Sequence, residues 1–272
     1  MIESFLMKLL VGIAMMWLLM PRKEVTDGFF RIQMLVALGL SVLLVLIVSS
    51  RQDPDGSLAR FADPSEPASA ISAARSDFAN RFVYIAQIVA ACVAYAGHIF
   101  WKLGRRTPGA IAIYLIALLS VLSQVCFSLE AGTSLDSCQM LLSNFASSTV
   151  LGATLTGMLL GHWYLTTPTM SIGPLSWFAK TLAVAAIFRF LMTGIAIGRF
   201  GFVSHDLVHL LWLLMRIIGG ILIPFTTSIV VVKILKYRNT QAATGVLFAA
   251  LILVFMGEMA AALLEGDLRI PY

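Results

Sequence analysis

Two of the four histidines in this sequence stand in matching places: Gly97-His98 and Gly161-His162, each followed within two or three residues by aromatic side chains. Each is the only histidine of its long apolar run and lies about one turn from the end of it. The two therefore share a depth if those runs cross a membrane. Small residues accompany both, with Ala91, Ala94 and Gly97 before one and Gly157 and Gly161 before the other. Imidazole nitrogen is a good axial ligand to haem iron, and small residues leave room for a flat macrocycle, so the pair is read as a bis-histidine haem b site. The competing reading is packing. Gly157-x-x-x-Gly161 by itself marks a close helix contact, and a histidine beside Trp101 or Trp163 can simply hydrogen-bond a carbonyl or a lipid headgroup.

A second constellation gathers toward the C-terminal third. Arg189, Arg216 and Glu258 each interrupt an apolar run, and His205, Asp206 and His209 open the run that holds Arg216. An ionisable side chain in hydrocarbon costs roughly 2.5–3.5 kcal/mol on insertion scales, so such residues turn toward a bundle interior and mark a site. Arginine N–H groups suit an anionic or carbonyl-bearing ligand, and histidine and glutamate carry protons. Arg189, His209, Arg216 and Glu258 are accordingly read as a quinone or proton site. Against this stands a purely structural ion-pair network between three helices. His205 and His209, spaced i, i+4, share one helix face and could hold a metal ion, although no third ligand stands beside them in the sequence.

These residues need elements to position them. Runs long enough to span a bilayer, about 20 residues each, fall at 4–20, 29–50, 81–103, 108–130, 139–165, 172–197, 204–232 and 242–264. The first is short and carries Lys8, expected to snorkel to an interface. The seventh contains Gly219-Gly220 and Pro224, a place for a kink. The sequence thus predicts an all-α polytopic bundle of about eight transmembrane helices in one membrane domain, 1–272. Arg22, Lys23 and Arg31, then Lys102, Arg105 and Arg106, then Lys233, Lys236 and Arg238 fall on one side of such a bundle. The excess of Lys and Arg on cytoplasmic loops then places both termini on the non-cytoplasmic side. The connection at 51–80 is the one sizeable polar segment. It is read as an extracytoplasmic linker or docking loop, with a short surface helix over Ala68–Phe78.

Composition agrees. Of 272 residues, 59% are hydrophobic and 12% charged, about half the charge a water-facing domain carries; mean hydropathy is +0.91. The net charge of +5 sits in short loops between apolar runs, where it sets topology, so nucleic acid is not expected as a partner. Cys126 and Cys138 flank one connection and are read as a candidate disulfide. Phosphate-binding loops, dinucleotide fingerprints, cysteine clusters and zinc-protease motifs are missing from the sequence. The chain has no catalytic motif of its own and is at most a subunit of an oxidoreductase. The leading expectation is an inner-membrane subunit of a quinone-linked electron-transfer complex, with haem b and a quinone as cofactors and other subunits and the lipid bilayer as partners. The alternatives are a proton-coupled transporter or channel, and a non-catalytic scaffold subunit. Helix three with its successor and helix five with its successor also echo each other, each pair joined near a Thr-Pro step, which suits a parallel repeat.

Overall fold

The computed structural model describes residues 2–50, 67–128, 134–167, 170–201 and 206–268, which are helical with short connections and contain no strand. In chain order the helices are α1 (Ile2–Leu19), α2 (Asp27–Ser49), α3 (Pro67–Lys102), α4 (Arg106–Ser128), α5 (Ser134–Thr166), α6 (Gly173–Phe200), α7 (Leu207–Lys236) and α8 (Thr240–Leu268). Seven of them are long and apolar enough to cross a membrane, counting α3 from Phe78 and α6 to Arg199. The seven make this an integral membrane protein. The helix outside that set is α5. At 33 residues it has ample length, but buried Ser143, Asn144, Ser147, Ser148, Thr154 and Thr156 dilute its apolar character.

Differences from the sequence reading have local causes. Helix α3 begins at Pro67 instead of near 81, because proline at a first helical position loses no hydrogen bond and has its φ already set. The short surface helix expected over 68–78 is thereby continuous with the span. The rest of the proposed docking loop, 51–66, lies outside the described residues, as does His205. Cys126 and Cys138 are thiols and not a disulfide.

The chain forms two compact units, one of residues 1–30 and 142–272, the other of residues 31–141. In the first, α1 is the most enclosed span: 72% of its apolar window is buried, against 33–50% for the other six. Gly12 on α1 and Gly152 on α5 explain how it packs. A Cβ on Gly12 would strike the Ser148 carbonyl, and one on Gly152 would strike the Gly12 backbone, so the two helices touch main chain to main chain. Lys8 does not snorkel. It is buried and pairs with Glu265 of α8 at 3.1 Å.

Helix α7 is interrupted. An α-helical segment Leu207–Ile217 leads into a π-helical turn, Ile218–Leu222, and then a second α-helical segment, Ile223–Lys236. Pro224 has no N–H to give the carbonyl four residues back, which favours a widened turn just before it. Gly219 and Gly220 let that turn lie against Gly257 of α8, where an added Cβ would meet the Gly220 amide nitrogen.

The second unit holds the α3–α4 hairpin. Its turn places Gly104 at φ 69°, a conformation glycine adopts without strain. Gly97 seats against Met34 and Ala112, and Gly109 against the Trp101 ring. Gln87 Nε2 donates to Ser123 Oγ at 3.2 Å, and Ser123 passes the bond to the Leu119 carbonyl at 2.8 Å.

Candidate functional site in the α5–α8 interior

Four helices of the first unit bring polar side chains to one buried place. Glu258 on α8 directly follows Gly257, at the level where the main chain of α7 meets that of α8. Arg216 lies near the end of the first segment of α7 and reaches it: Arg216 Nη1 donates to Glu258 Oε1 at 2.6 Å. From α6, Arg189 Nε lies 3.6 Å from the same oxygen. Arg189 Nη1 in turn donates to Ser143 of α5, at 2.6 Å to Oγ and 3.2 Å to the carbonyl. The residues are 1%, 0% and 3% exposed for Arg189, Arg216 and Glu258. Water screening is therefore slight, and each charge depends on its protein partners.

The hydrogen bonding is lopsided. Both guanidinium groups address one carboxylate oxygen, Oε1. Glu258 Oε2, Arg216 Nε and Arg216 Nη2 are buried and have no hydrogen-bond partner among the described residues. Nε and Nη2 form one edge of the guanidinium plane. That edge presents two parallel N–H groups and is the geometry that grips a carboxylate or phosphate by two oxygens. Thr193 is one turn along α6 from Arg189 and Ser147 one turn along α5 from Ser143. Both hydroxyls are buried and likewise without a partner among the described residues. Buried polar atoms are paired in the great majority of cases, so these unsatisfied groups are the candidates for contact with a ligand.

Of the four residues expected to share a site, three meet: Arg189, Arg216 and Glu258. His209 is two turns away on the same face of α7 as Arg216. There its Nε2 lies 2.6 Å from Asp267 Oδ2 at the end of α8, and its Nδ1 lies 4.0 Å from Asp206. The described residues contain no group of three or more His, Cys, Asp or Glu arranged to hold a metal. The His205 half of that pairing lies outside the described residues. Sequence reasoning missed Ser143, which anchors Arg189. Its signal was the unusual run of Ser, Thr and Asn along α5. Reasoning from sequence also missed the partners at the chain's end, Glu265 for Lys8 and Asp267 for His209.

The two glycine-linked histidines belong to different units. His98, in the second, has Nδ1 3.1 Å from the Arg31 carbonyl. A carbonyl only accepts, so Nδ1 donates and carries the proton, and the neutral ring then keeps its lone pair on Nε2. His162, in the first unit, is exposed, while its neighbour Trp163 donates to Thr26 Oγ1 at 2.8 Å. The small residues beside both histidines are occupied by packing. Gly97 faces Met34 and Ala112, Gly157 faces Phe178 and Gly161 faces Thr244.

An apolar groove of about 130 Å³ lies along the π-turn, lined by Leu214, Met215, Ile218, Gly219, Ile223, Leu253 and Met256. In comparisons with known proteins, no family model, curated protein or solved structure matches the chain.

Proposed function

We propose that the chain is a proton-coupled membrane carrier of a small oxyanion, with Arg189, Arg216 and Glu258 as its central site. The observation that supports this most directly is the unpartnered Nε–Nη2 edge of Arg216 beside a carboxylate that already engages both arginines. Glu258 and an incoming anion compete for the same cations. Protonating Glu258 removes its charge and loosens its hold on Arg216 and Arg189, and a carboxylate or phosphate then takes the two-donor edge of Arg216. Release reverses the order: Glu258 loses its proton and reclaims the guanidinium groups. Proton and anion thus travel together because one carboxylate cannot hold the arginines and the proton at once. The distribution of Lys and Arg among the connections supports placing the His209–Asp267 end outside the cytoplasm.

The test is a binding screen on detergent-purified protein, using acetate, succinate and inorganic phosphate as probes with thermal stabilisation as the readout. At least one of these anions is expected to stabilise the protein, with the effect lost in Arg216→Lys, which keeps the charge but not the two-donor edge. In proteoliposomes, uptake of that anion should alkalinise the outside medium and stop in Glu258→Gln. Stabilisation that persists unchanged in Arg216→Lys would sink the reading.

A second reading is supported by His98. Its Nδ1 bond to the Arg31 carbonyl is the kind of outer bond that orients a ligating histidine and leaves Nε2 for iron. It supports, as the alternative, a membrane subunit of an electron-transfer complex with His98 as a haem b ligand and a quinone near Arg189, Arg216 and Glu258. Oxidised and dithionite-reduced absorption spectra of protein purified with its native partners decide this. A Soret band lost in His98→Ala supports it, and a featureless visible spectrum removes it.

A further inference from the structure

The first segment of α7 turns very little of itself inward. Of the 11 residues Leu207–Ile217, only Leu213 and Arg216 are buried, and Leu207, Val208, Leu210, Leu211, Leu214 and Met215 are exposed. His209 completes the inward face through its bond to Asp267. His209, Leu213 and Arg216 are spaced four and three residues apart, so they form one stripe down the helix.

The three neighbouring helices carry the same order. On α7 it runs His209, Leu213, Arg216; on α8 it runs Asp267, Leu264, Glu258; on α6, Ala196 stands seven residues beyond Arg189 toward the same end. Ala196, Leu213 and Leu264 are buried together, with Ile197, Trp212, Ile217 and Leu268 packed around them. An apolar layer therefore separates the buried Arg189–Arg216–Glu258 cluster from the His209–Asp267 pair, whose aspartate side chain is 60% exposed. Dry apolar constrictions of this kind stop ions and polar solutes.

We propose that Leu207–Ile217 is a gate, hinged at the π-turn Ile218–Leu222, with Leu213 and Leu264 as its plug and His209–Asp267 as its latch. The hinge is placed where one movement does three things. Swinging the segment away from α8 breaks the latch, withdraws Leu213 from the plug and draws Arg216 off Glu258. Access to the cluster and release of its carboxylate are then one event. π-Turns recur at functional sites and are a recognised cause of bending, and Gly219 and Gly220 leave no side chain in the way. The gate rests on the carrier reading only in taking the cluster as what it guards.

A thiol reporter tests it without any known substrate. Thr193→Cys places a thiol behind the plug, one turn from Arg189, in a background with Cys92, Cys126 and Cys138 changed to Ala. Labelling by a charged, water-soluble methanethiosulfonate in detergent is expected to be slow. It should rise at least tenfold in Asp267→Asn and again in Leu213→Ala. Ala153→Cys on α5, buried and away from the plug, serves as the control and should not change. Equal labelling of Thr193→Cys with and without the latch would overturn the gate, and so would a parallel rise at Ala153→Cys, which reports loss of fold. Anion binding that fails while gated labelling holds would sink the carrier reading and leave the gate standing.

Discussion

The α5–α8 interior and the α3–α4 hairpin both bury polar side chains, yet they do so with different chemistry. The hairpin buries neutral groups: Gln87, Ser120, Ser123 and Gln124 are all nearly inaccessible, and Gln87 and Ser123 form a short relay that ends on a backbone carbonyl. Neutral hydrogen bonds of this kind tie two helices together, and although Gln87 Oε1 and Ser120 Oγ are also buried without a hydrogen-bond partner among the described residues, these groups carry no charge. The α5–α8 interior buries three full charges and leaves Glu258 Oε2 and one edge of Arg216 without a partner among the described residues. A buried ion pair is a poor device for stability alone, since well-packed hydrophobic residues in its place are often as good or better. The difference is one of charge, because a buried ion left without partners costs far more than a neutral group in the same position.

The sharpest way to break this contrast is to remove the shared carboxylate. Glu258→Ala strips Arg216 of its described partner and takes one from Arg189, leaving buried positive charge without its counterion. A loss of about 3–5 kcal/mol is expected, since breaking a buried ion pair by deleting one partner is strongly destabilising. Thermal or denaturant unfolding in detergent measures it. A loss under about 1 kcal/mol would mean that water already reaches the cluster, and that its burial is less complete than the geometry implies.

Backbone contact gives the next largest effect. Gly257→Ala pushes a methyl group into the Gly220 amide across the α7–α8 contact, where neither side can retreat as a side chain would. Overpacking of this kind costs about 1–3 kcal/mol. Gly245→Ala on the same helix has open space around it and should be neutral. Comparable losses from the two substitutions would show that glycine matters here for helix flexibility and not for closeness.

The Lys8–Glu265 pair tests an intermediate case. Lys8 is buried while the Glu265 side chain is 18% exposed, so water compensates part of what a lone charge would lose. Lys8→Met is expected to cost about 1–2 kcal/mol, toward the weak end for hydrogen bonds to charged groups. A double-mutant cycle with Glu265→Gln isolates the coupling. Coupling near zero would class the pair with surface salt bridges and weaken the view of α1 as a helix anchored by charge.

Hydropathy read eight spans because bilayer thickness sets their length, and seven of the described helices are long and apolar enough to be such spans; Arg189, Arg216 and Glu258 stood out because charges are rare in such runs. The hidden parts were those decided by pairing across space. Ser143 looks like any hydroxyl in α5 until Arg189 is seen to donate to it. Lys8 looked like an interfacial residue because its sequence neighbours say nothing of Glu265, 257 positions away. His209 shares a helical face with Arg216 and so seemed part of its cluster, but helical periodicity fixes the face and leaves depth to the partner, which is Asp267. Gly97, Gly157 and Gly161 read equally as space for a macrocycle or as close packing. Only the side chains opposite them reveal what fills that space.

The smallest expected effect lies in the hairpin and completes the comparison. Gln87→Leu removes an amide that donates one bond to Ser123, and leaves an apolar side chain of similar length between α3 and α4. Ser123 keeps its own bond to the Leu119 carbonyl, so its donor is not orphaned. Interhelical bonds of this type contribute about 0.6 kcal/mol on average in membrane proteins, and the leucine recovers part of that through packing. Unfolding should shift by less than about 1 kcal/mol, several times less than for Glu258→Ala. If Gln87→Leu were as damaging as Glu258→Ala, the buried amides of the second unit would belong with the charges as groups under functional demand. Gln33, whose amide nitrogen and oxygen are both buried and without a hydrogen-bond partner among the described residues, would then be the next residue to change.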